Sequence, residues 1–590
     1  MTDTNITLTP SGLTGSVTIT ASAALFTSDD VGRMIALYNP VSGPRAASSV
    51  YSAGSIIWTD DRGGYGVVRL YRVIYGGATA AVNMAGTTPN YDLNAPHEES
   101  QSVADGTCVL RYLGRGKSVW GWGTITGYTS STQVTMDVSP NGCFGTTAAT
   151  FKWRLGEWGG ARGWPSTVSF FQNRTMWGGS TASPQTLWAS QSGDFWNMAP
   201  SEPDDTVIDT NSITATMDDD QVNTIRWLLA QQRGLAVGTD SGEFMVGPAS
   251  QTNLALSPSN ILARRQGSEG SSQITPAIRP GNALLFVQRG DRRVKEFAYD
   301  FGSDSYQSPD LTIRSQHITD GGLQDMTFQQ LPAGLLWLAR DDGALACLTY
   351  DRDQQTRAWT RHQLGGAGIV ESLTAVPNPD GVSDDVYLAV KRTLNGATVR
   401  SIEVIRAPYE ALIDGDAGGF FVDMGLTYSG TAANVFTGLG HLEGQTVSIC
   451  ADGAQRSQQV VTGGSVSIGL PLATTVHIGL PYTSTLTTLP IEAGAGGGTA
   501  QGRPKLIAEV TLRLLESRAC QVGGATAAEL EDVPFRTVSD PMTAAVPLFT
   551  GDKRVSIRGG WDRNGQVTVQ SAAPEPLTVL AIIQEVQASA

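Results

Sequence analysis

The stretch Trp164–Asn197, WPSTVSFFQNRTMWGGSTASPQTLWASQSGDFWN, decides the fold. Trp164-Pro165 leads into an apolar, strand-like run at Val168–Phe171. The chain then turns, passes through Thr175-Met176-Trp177, and reaches Gly178-Gly179. A further strand is expected at Thr186–Ala189, across a turn at Pro184, before the segment closes on Ser192-Gly193-Asp194-Phe195. Strand, turn, strand, turn is the pattern of an antiparallel blade.

The same pattern recurs downstream. Apolar centres fall near Phe170, Trp227, Leu284, Leu335 and Val386, spaced 57, 57, 51 and 51 residues apart. The units pair strands across turns at Arg233-Gly234, Gly290-Asp291, Asp342-Gly343 and Asn395-Gly396. One blade cannot cover both of its faces, so a period near 50 with several strands per unit points to a propeller-like repeat. A run of hairpins in stacked sandwiches is the competing arrangement. Trp227 and Trp337 fall on strand positions and are expected in cores. Trp153, Trp158 and Trp164 sit near Gly-rich turns and are expected at the surface.

The flanks also read as β. Before the repeat, Val17–Thr20, Met34–Tyr38, the run Gly66–Ile74 and the pair Thr124–Thr126 with Gln133–Met136 alternate in the period-2 manner of strands. Ser28-Asp29-Asp30 reads as a short capped turn. After the repeat, Val447–Ile449 reaches the hairpin dipeptide Asp452-Gly453. Gly494–Gly498 is a loop, and Leu506–Leu515, Val567–Val569 and Leu577–Ile583 are closing strands. The fold expected is all-β and multidomain. A β-barrel or sandwich region at residues 1–155 precedes a β-propeller-like region at 156–405, and a β-sandwich with platform-closing strands follows at 406–590.

Composition agrees. Of 590 residues, 16% are charged, against roughly 25% in a typical soluble domain. Gly is 68, well above the usual share of roughly 7%. Both fit a turn-dense β protein, or a subunit whose surface is covered by neighbours. A formal charge of −15 argues against wrapping nucleic acid, because neutralising phosphates takes Lys and Arg. No run approaches 18 apolar residues, so no membrane insertion is expected. Met1-Thr2-Asp3 opens without the basic and apolar regions of a signal peptide.

The residues offer little chemistry. The five cysteines are scattered without a Cys-x-x-Cys pair, and the five histidines show no metal-ligand spacing. Gly116-Lys117-Ser118 lacks the upstream glycine and the following helix of a phosphate loop. Ser241 is a turn residue, not a nucleophile elbow. The carboxylate clusters Asp204-Asp205, Asp218–Asp220 and Asp414/Asp416 lack calcium-loop spacing. No catalytic residue, metal or cofactor is expected.

The ordered string Gly163-Trp164-Pro165, Arg174, Trp177-Gly178-Gly179, Pro184-Gln185 and Trp188–Asp194 resembles the nozzle, or tail tubular hub, proteins of short-tailed bacteriophages. Further matches are Gly438-Leu439 with His441–Gly444, Ala451–Gly453, Gly479–Tyr482, Gln501–Arg503, Pro547–Asp552 and Pro574–Leu580. The resemblance runs from about residue 160 to the C-terminal end, and more faintly through the first 155 residues. It implies a structural virion protein assembled in the host cytoplasm. The chain would form a homo-oligomer of six copies below the portal and adaptor ring, support tail fibres or spikes, and line the exit channel for genomic DNA. On that reading Asp218, Asp219 and Asp220 are candidates to line the channel with charge that repels phosphate. Family members carry a longer region before the stretch like Leu25–Gly32, and the resemblance leaves the contacts of that region unassigned. The alternative is a carbohydrate-binding or carbohydrate-cleaving β-propeller. It would need paired acids at a pocket, for which Glu243 and Glu296 are the strand-borne candidates.

Overall fold

The computed structural model describes residues 5–40, 45–46, 48–60, 68–79, 102–115, 118–140, 142–202, 206–221, 223–249, 254–492, 499, 501–526, 529–542 and 544–588. The Asp204-Asp205 pair, Gly116-Lys117, His97, Gly66-Val67, the N-terminal tripeptide and the loop 494–498 lie outside them. The described residues are almost wholly strand and turn. They fall into two compact units: residues 1–273, 281–289 and 296–309, and residues 274–280, 290–295 and 310–590.

The first unit begins with a six-stranded sheet. Its strand order is Leu8–Pro10, Ser16–Ala21, Gln133–Val138, Ser118–Ser130, Met34–Pro40 and Trp153–Leu155. The expected pair around the Ser131-Thr132 turn forms, with Ile125 opposite Met136. The capped turn forms as well: Thr27 N donates to Asp30 Oδ2 at 2.8 Å ahead of the short helix Ser28–Asp30. A smaller sheet is built from Ile56–Asp60, Val68–Tyr75, Cys108–Arg115 and Ser102–Asp105. Trp153 is buried in the core of the six-stranded sheet, and its Nε1 donates to Ile6 O at 2.8 Å. The expected surface position for Trp153 is therefore corrected. A strand end near glycines lies inside when its side chain joins a core cluster, as Trp153 does with Ile6, Leu8 and Phe144.

Blades follow. The first is Thr167–Phe171, Arg174–Gly178, Thr186–Ala189 and Ile213–Thr216, hydrogen-bonded in chain order. The second is Ile225–Gln231, Gly234–Thr239, Glu243–Pro248 and Ile261–Arg265, in the same order. A third sheet of three strands takes Leu284–Val287, Val294–Asp300 and Ser305–Gln307. Four-stranded antiparallel meanders of this kind are the unit of a β-propeller. The first blade opens with a two-residue hairpin: Gln172 and Asn173 both adopt positive φ, 47° and 60°, and Phe171 sits opposite Arg174. That geometry matches the twist of the flanking strands.

One core serves the first two blades together. Met176, Leu187, Ala189 and Ile213 meet Ile225, Leu235, Val237, Phe244 and Val246. Fully burying each larger side chain contributes roughly 1.5–3 kcal/mol, so each blade depends on the next for its stability. Phe170 is not a core centre. It is 66% exposed, and Val168 shares its outward face two residues away. The buried centre of this blade lies one strand later, at Met176. Trp227 is buried as expected, 5.9 Å from Phe286 of the third sheet.

The second unit holds the fourth and fifth sheets. The fourth is Leu323–Gln329, Leu335–Arg340, Leu345–Asp351 and Thr356–His362; the fifth is Ile369–Pro377, Asp384–Leu394 and Ala397–Ile405. They too share one core, with Trp337, Leu345 and Cys347 against Val370, Val386 and Val390. Asn395-Gly396 makes the expected tight turn, with φ of 52° and 78°. The small sandwich uses Asp423–Ala433, Ala473–Leu480, Thr446–Ala451 and Ala454–Val460, and Asp452-Gly453 turns the hairpin at its edge. The C-terminal sheets centre on the long strand Lys505–Ser517, flanked by Phe549–Ser556 and Thr578–Ala588.

Candidate functional site

The acidic run Asp218–Asp220 follows the last strand of the first blade and leads to the first strand of the second. Met217 anchors it: the side chain is buried and the backbone N–H donates to Gln185 O at 3.0 Å. The three carboxylates then part ways. Asp218 is exposed and stands at the rim of an apolar cavity. Asp219 turns inward. Its Oδ1 accepts from Arg265 Nη1 at 3.1 Å and from Asp220 N at 2.9 Å, while Oδ2 accepts from Asn223 Nδ2. Asp220 is exposed, 3.6 Å from the same Arg265 guanidinium.

Arg265 is itself held in place, donating from Nη2 to Ser241 O at 2.9 Å and from Nε to Gly267 O at 3.1 Å. The three candidates for lining a channel therefore differ in their surroundings. The Asp219 carboxylate closes a turn between two blades, leaving Asp218 and Asp220 as the outward pair. Ser241 Oγ donates to Asn223 Oδ1, and Thr239 Oγ1 donates to Gly242 O at 2.7 Å, which makes this segment a turn as read from the sequence.

The cavity beside Asp218 has a volume of about 120 Å³. The first blade supplies Leu187, Ala215 and Met217, and the second supplies Val246, Ile261, Leu262 and Ala263. It lies at the last strand of each sheet, where the ladder ends.

Glu243 sits at the start of the third strand of the second blade and is fully buried. Its backbone carbonyl accepts from Gln266 N at 2.7 Å. Its Oε2 accepts from the Glu269 N–H at 3.4 Å, and Oε1 has no hydrogen-bond partner among the described residues. Burial pushes this carboxyl up to about 7. The Glu269 and Gly270 backbone amides oppose that rise and the nearby Glu269 carboxylate adds to it. Glu296, in the third sheet, is also buried. A glycosidase needs two carboxyls facing a cleft open to the sugar, and neither acid is open to solvent.

The residues that carry the family resemblance hold the first blade together. Arg174 is 2% exposed and donates to five backbone carbonyls: Ser190 at 2.6 Å, Asn211 at 2.7 Å, Asp209 at 2.6 Å, Thr210 at 3.3 Å and Leu256 at 3.5 Å. Burial lowers its pKa, and Asp209 opposes that shift. Gly178 lets the second blade approach, since a methyl group there would meet Ile225 Cγ2 at 2.8 Å. Trp158 is half-buried, packed 5.5 Å from Trp177 and edge-on to Trp188 at 5.3 Å, so it too departs from the surface expectation. Trp164 is exposed as expected. At the far end of the same segment, Trp196 is 90% exposed, and Phe195 meets Phe170 edge-on at 5.6 Å.

Among the described residues, no group of three or more His, Cys, Asp or Glu is placed to hold a metal ion. No helix there is long and apolar enough to cross a membrane.

No family model matches the chain, and no curated protein matches it in sequence. Among solved structures, it is similar to the Swd1 β-propeller domain of Myceliophteria thermophila at 7% identity and a TM-score of 0.25, covering 63% of this chain and 90% of that one. An exo-β-1,3-galactanase of Phanerochaete chrysosporium matches at 9% identity and a TM-score of 0.23, covering 73% and 96%. An auxiliary nutrient binding protein of Bacteroides thetaiotaomicron matches at 10% identity and a TM-score of 0.23, covering 68% and 86%. Scores this low carry no argument about function. The class of protein is that of the blades themselves: an all-β chain with propeller-type sheets flanked by smaller β domains.

Proposed function

We propose that this chain is a structural subunit of a short-tailed phage tail, forming a ring at the nozzle around the path of the exiting DNA. The observation that carries the reading is where the family-like residues fall. Gly163 to Asp194 lie in and just before one blade, and there Arg174, Gly178, Trp177 and Trp188 bind backbone and neighbouring strands. A subunit whose task is to hold a shape uses such residues in this way. Loop tips bearing exposed apolar side chains, Leu489, Val538 and Met542 among them, offer surface for neighbouring subunits. The test is the mass of the purified chain, alone and mixed with its portal-adaptor ring, by native mass spectrometry. A closed six-copy species is expected; a monomer under both conditions would overturn the reading.

One observation favours a second reading, carbohydrate binding. Trp196 and the Phe170–Phe195 pair present aromatic faces to solvent, and such faces stack on sugar rings. A glycan array decides it. Binding that disappears in Trp196→Ala would support this reading, and a blank array would remove it.

A further inference from the structure

The second blade and the third sheet are joined through the loop 266–272, and Glu243 lies beneath that loop. The Glu243 backbone carbonyl accepts from Gln266 N at 2.7 Å and from Gly267 N at 3.2 Å, and its carboxyl Oε2 accepts from Glu269 N at 3.4 Å. Gly267 sits directly on the carboxyl, where a methyl group would collide with Oε2. The far side of the loop is held from the third sheet. Gln288 Nε2, just past the strand Leu284–Val287, donates to the Glu269 carbonyl at 3.2 Å and to Glu269 Oε2 at 2.8 Å, and Arg289 N donates to Gly270 O at 3.1 Å. The loop thus closes the seam between the two sheets, and one buried carboxyl holds its near side.

Two buried polar atoms of the second blade, Glu243 Oε1 and Trp227 Nε1, have no hydrogen-bond partner among the described residues. They belong to one row across the sheet: Gly238 pairs with Trp227 on one side and with Glu243 on the other. Residues opposed in this way share a face. The Trp227 indole lies over Gly238, where a methyl group would strike the ring and its Nε1. A free donor and a free acceptor therefore flank the same glycine. The charges nearby favour the protonated acid. Glu269 is a like charge on the loop, whereas the Arg265 guanidinium is divided among Asp219, Asp220, Ser241 O and Gly267 O. Asp240, at the adjoining turn, is paired with Arg226 at 2.6 Å. Burial, with Glu269 adding to it, keeps the Glu243 proton on up to about 7, against the backbone amides and Arg265.

We propose that the Glu243 carboxyl is a pH-set latch on this loop: with its proton it keeps the loop closed, and on ionising it turns to the Trp227 indole N–H and frees the loop. The proton leaves to solvent and no other bond changes. A carboxylate needs stronger hydrogen bonding than one long amide contact supplies, and the indole N–H is a donor on its own face of the sheet. Once the loop opens, water reaches the acid and it ionises nearer 4.5. Between 4.5 and 7 the closed form holds the extra proton, so opening becomes easier as pH rises and levels off above 7. The latch works within one chain and stands apart from the ring reading.

The test is hydrogen–deuterium exchange of the full chain at pH 5 and pH 8, read by mass spectrometry and corrected for the intrinsic pH dependence of exchange. In the wild type, amides of the loop 266–270 are expected to lose protection by about tenfold or more from pH 5 to pH 8. Amides of the strand Gly234–Thr239 should hold, which shows that the blade itself stays folded. Glu243→Gln keeps an acceptor for the Glu269 N–H and cannot ionise, so its loop should stay protected at both pH values. Trp227→Phe removes the indole donor, and its loop should open less than that of the wild type at pH 8. A loop that loosens equally in the wild type and Glu243→Gln, or only together with the strand, would overturn the latch. Opening in Trp227→Phe equal to that of the wild type would overturn the turn toward the indole.

Discussion

The first and second blades each bury an ionisable side chain, by opposite means. In the first, Arg174 keeps its charge inside a fan of five carbonyls that its fixed fork of donors can reach together. In the second, Glu243 has one carboxylate oxygen without a partner among the described residues, and burial holds its proton on well above the usual range. The difference teaches how a chain with few charges tolerates them in its interior. Backbone carbonyls can pay the desolvation cost of a guanidinium, whereas two backbone amides are too few to hold a carboxylate in its ionised form.

The contrast can be broken most forcefully at Arg174. Arg174→Met removes the donor and leaves its buried carbonyls unpaired, and it is expected to destabilise the first unit by about 3–5 kcal/mol. Thermal denaturation followed by limited proteolysis would show it, and an unchanged melting temperature would refute the role given to the fan.

Glu243 sharpens the other side. In the unfolded chain this carboxyl ionises near 4.5, and in the fold it keeps its proton to about 7. Across that window the folded state holds more protons than the unfolded one, so stability falls as pH rises from 4.5 to 7. Glu243→Gln keeps the shape without the charge. It is expected to raise stability at pH 8 by up to about 3 kcal/mol and to flatten the pH dependence. Melting curves between pH 5 and 8 that superimpose on those of the wild type would contradict this.

The smallest effect is expected at the turn between the two blades. Asp219→Asn weakens a pair with Arg265, whose guanidinium side is one-third exposed, and should cost about 1 kcal/mol. Denaturant melts in low and high salt check it, because the loss should shrink as salt rises.

Much of this architecture was legible before any coordinates. Asn395-Gly396 and Asp452-Gly453 announce hairpins locally, because positive φ at both positions belongs to a few residue types. Trp227 and Trp337 declare cores through their strand positions. What was hidden depends on distant partners. Phe170 reads as apolar and therefore buried, yet which face of a strand is covered is set by the next sheet. Trp153 packs with Ile6 and Leu8, more than a hundred residues earlier. Arg174 was visible as part of a motif, but its acceptors lie 16 to 82 residues away and are carbonyls, which no sequence pattern displays. The inward turn of Asp219 depends on Arg265, 46 residues on.

The central claim is that these blades are assembled side by side around a channel. Electron cryo-microscopy of the chain joined to its adaptor ring tests it most directly. The account predicts six copies around an open bore, with Asp218 and Asp220 reachable from solvent and Asp219 folded against Arg265. Single copies, or a closed centre with a sugar seated on Trp196, would contradict it.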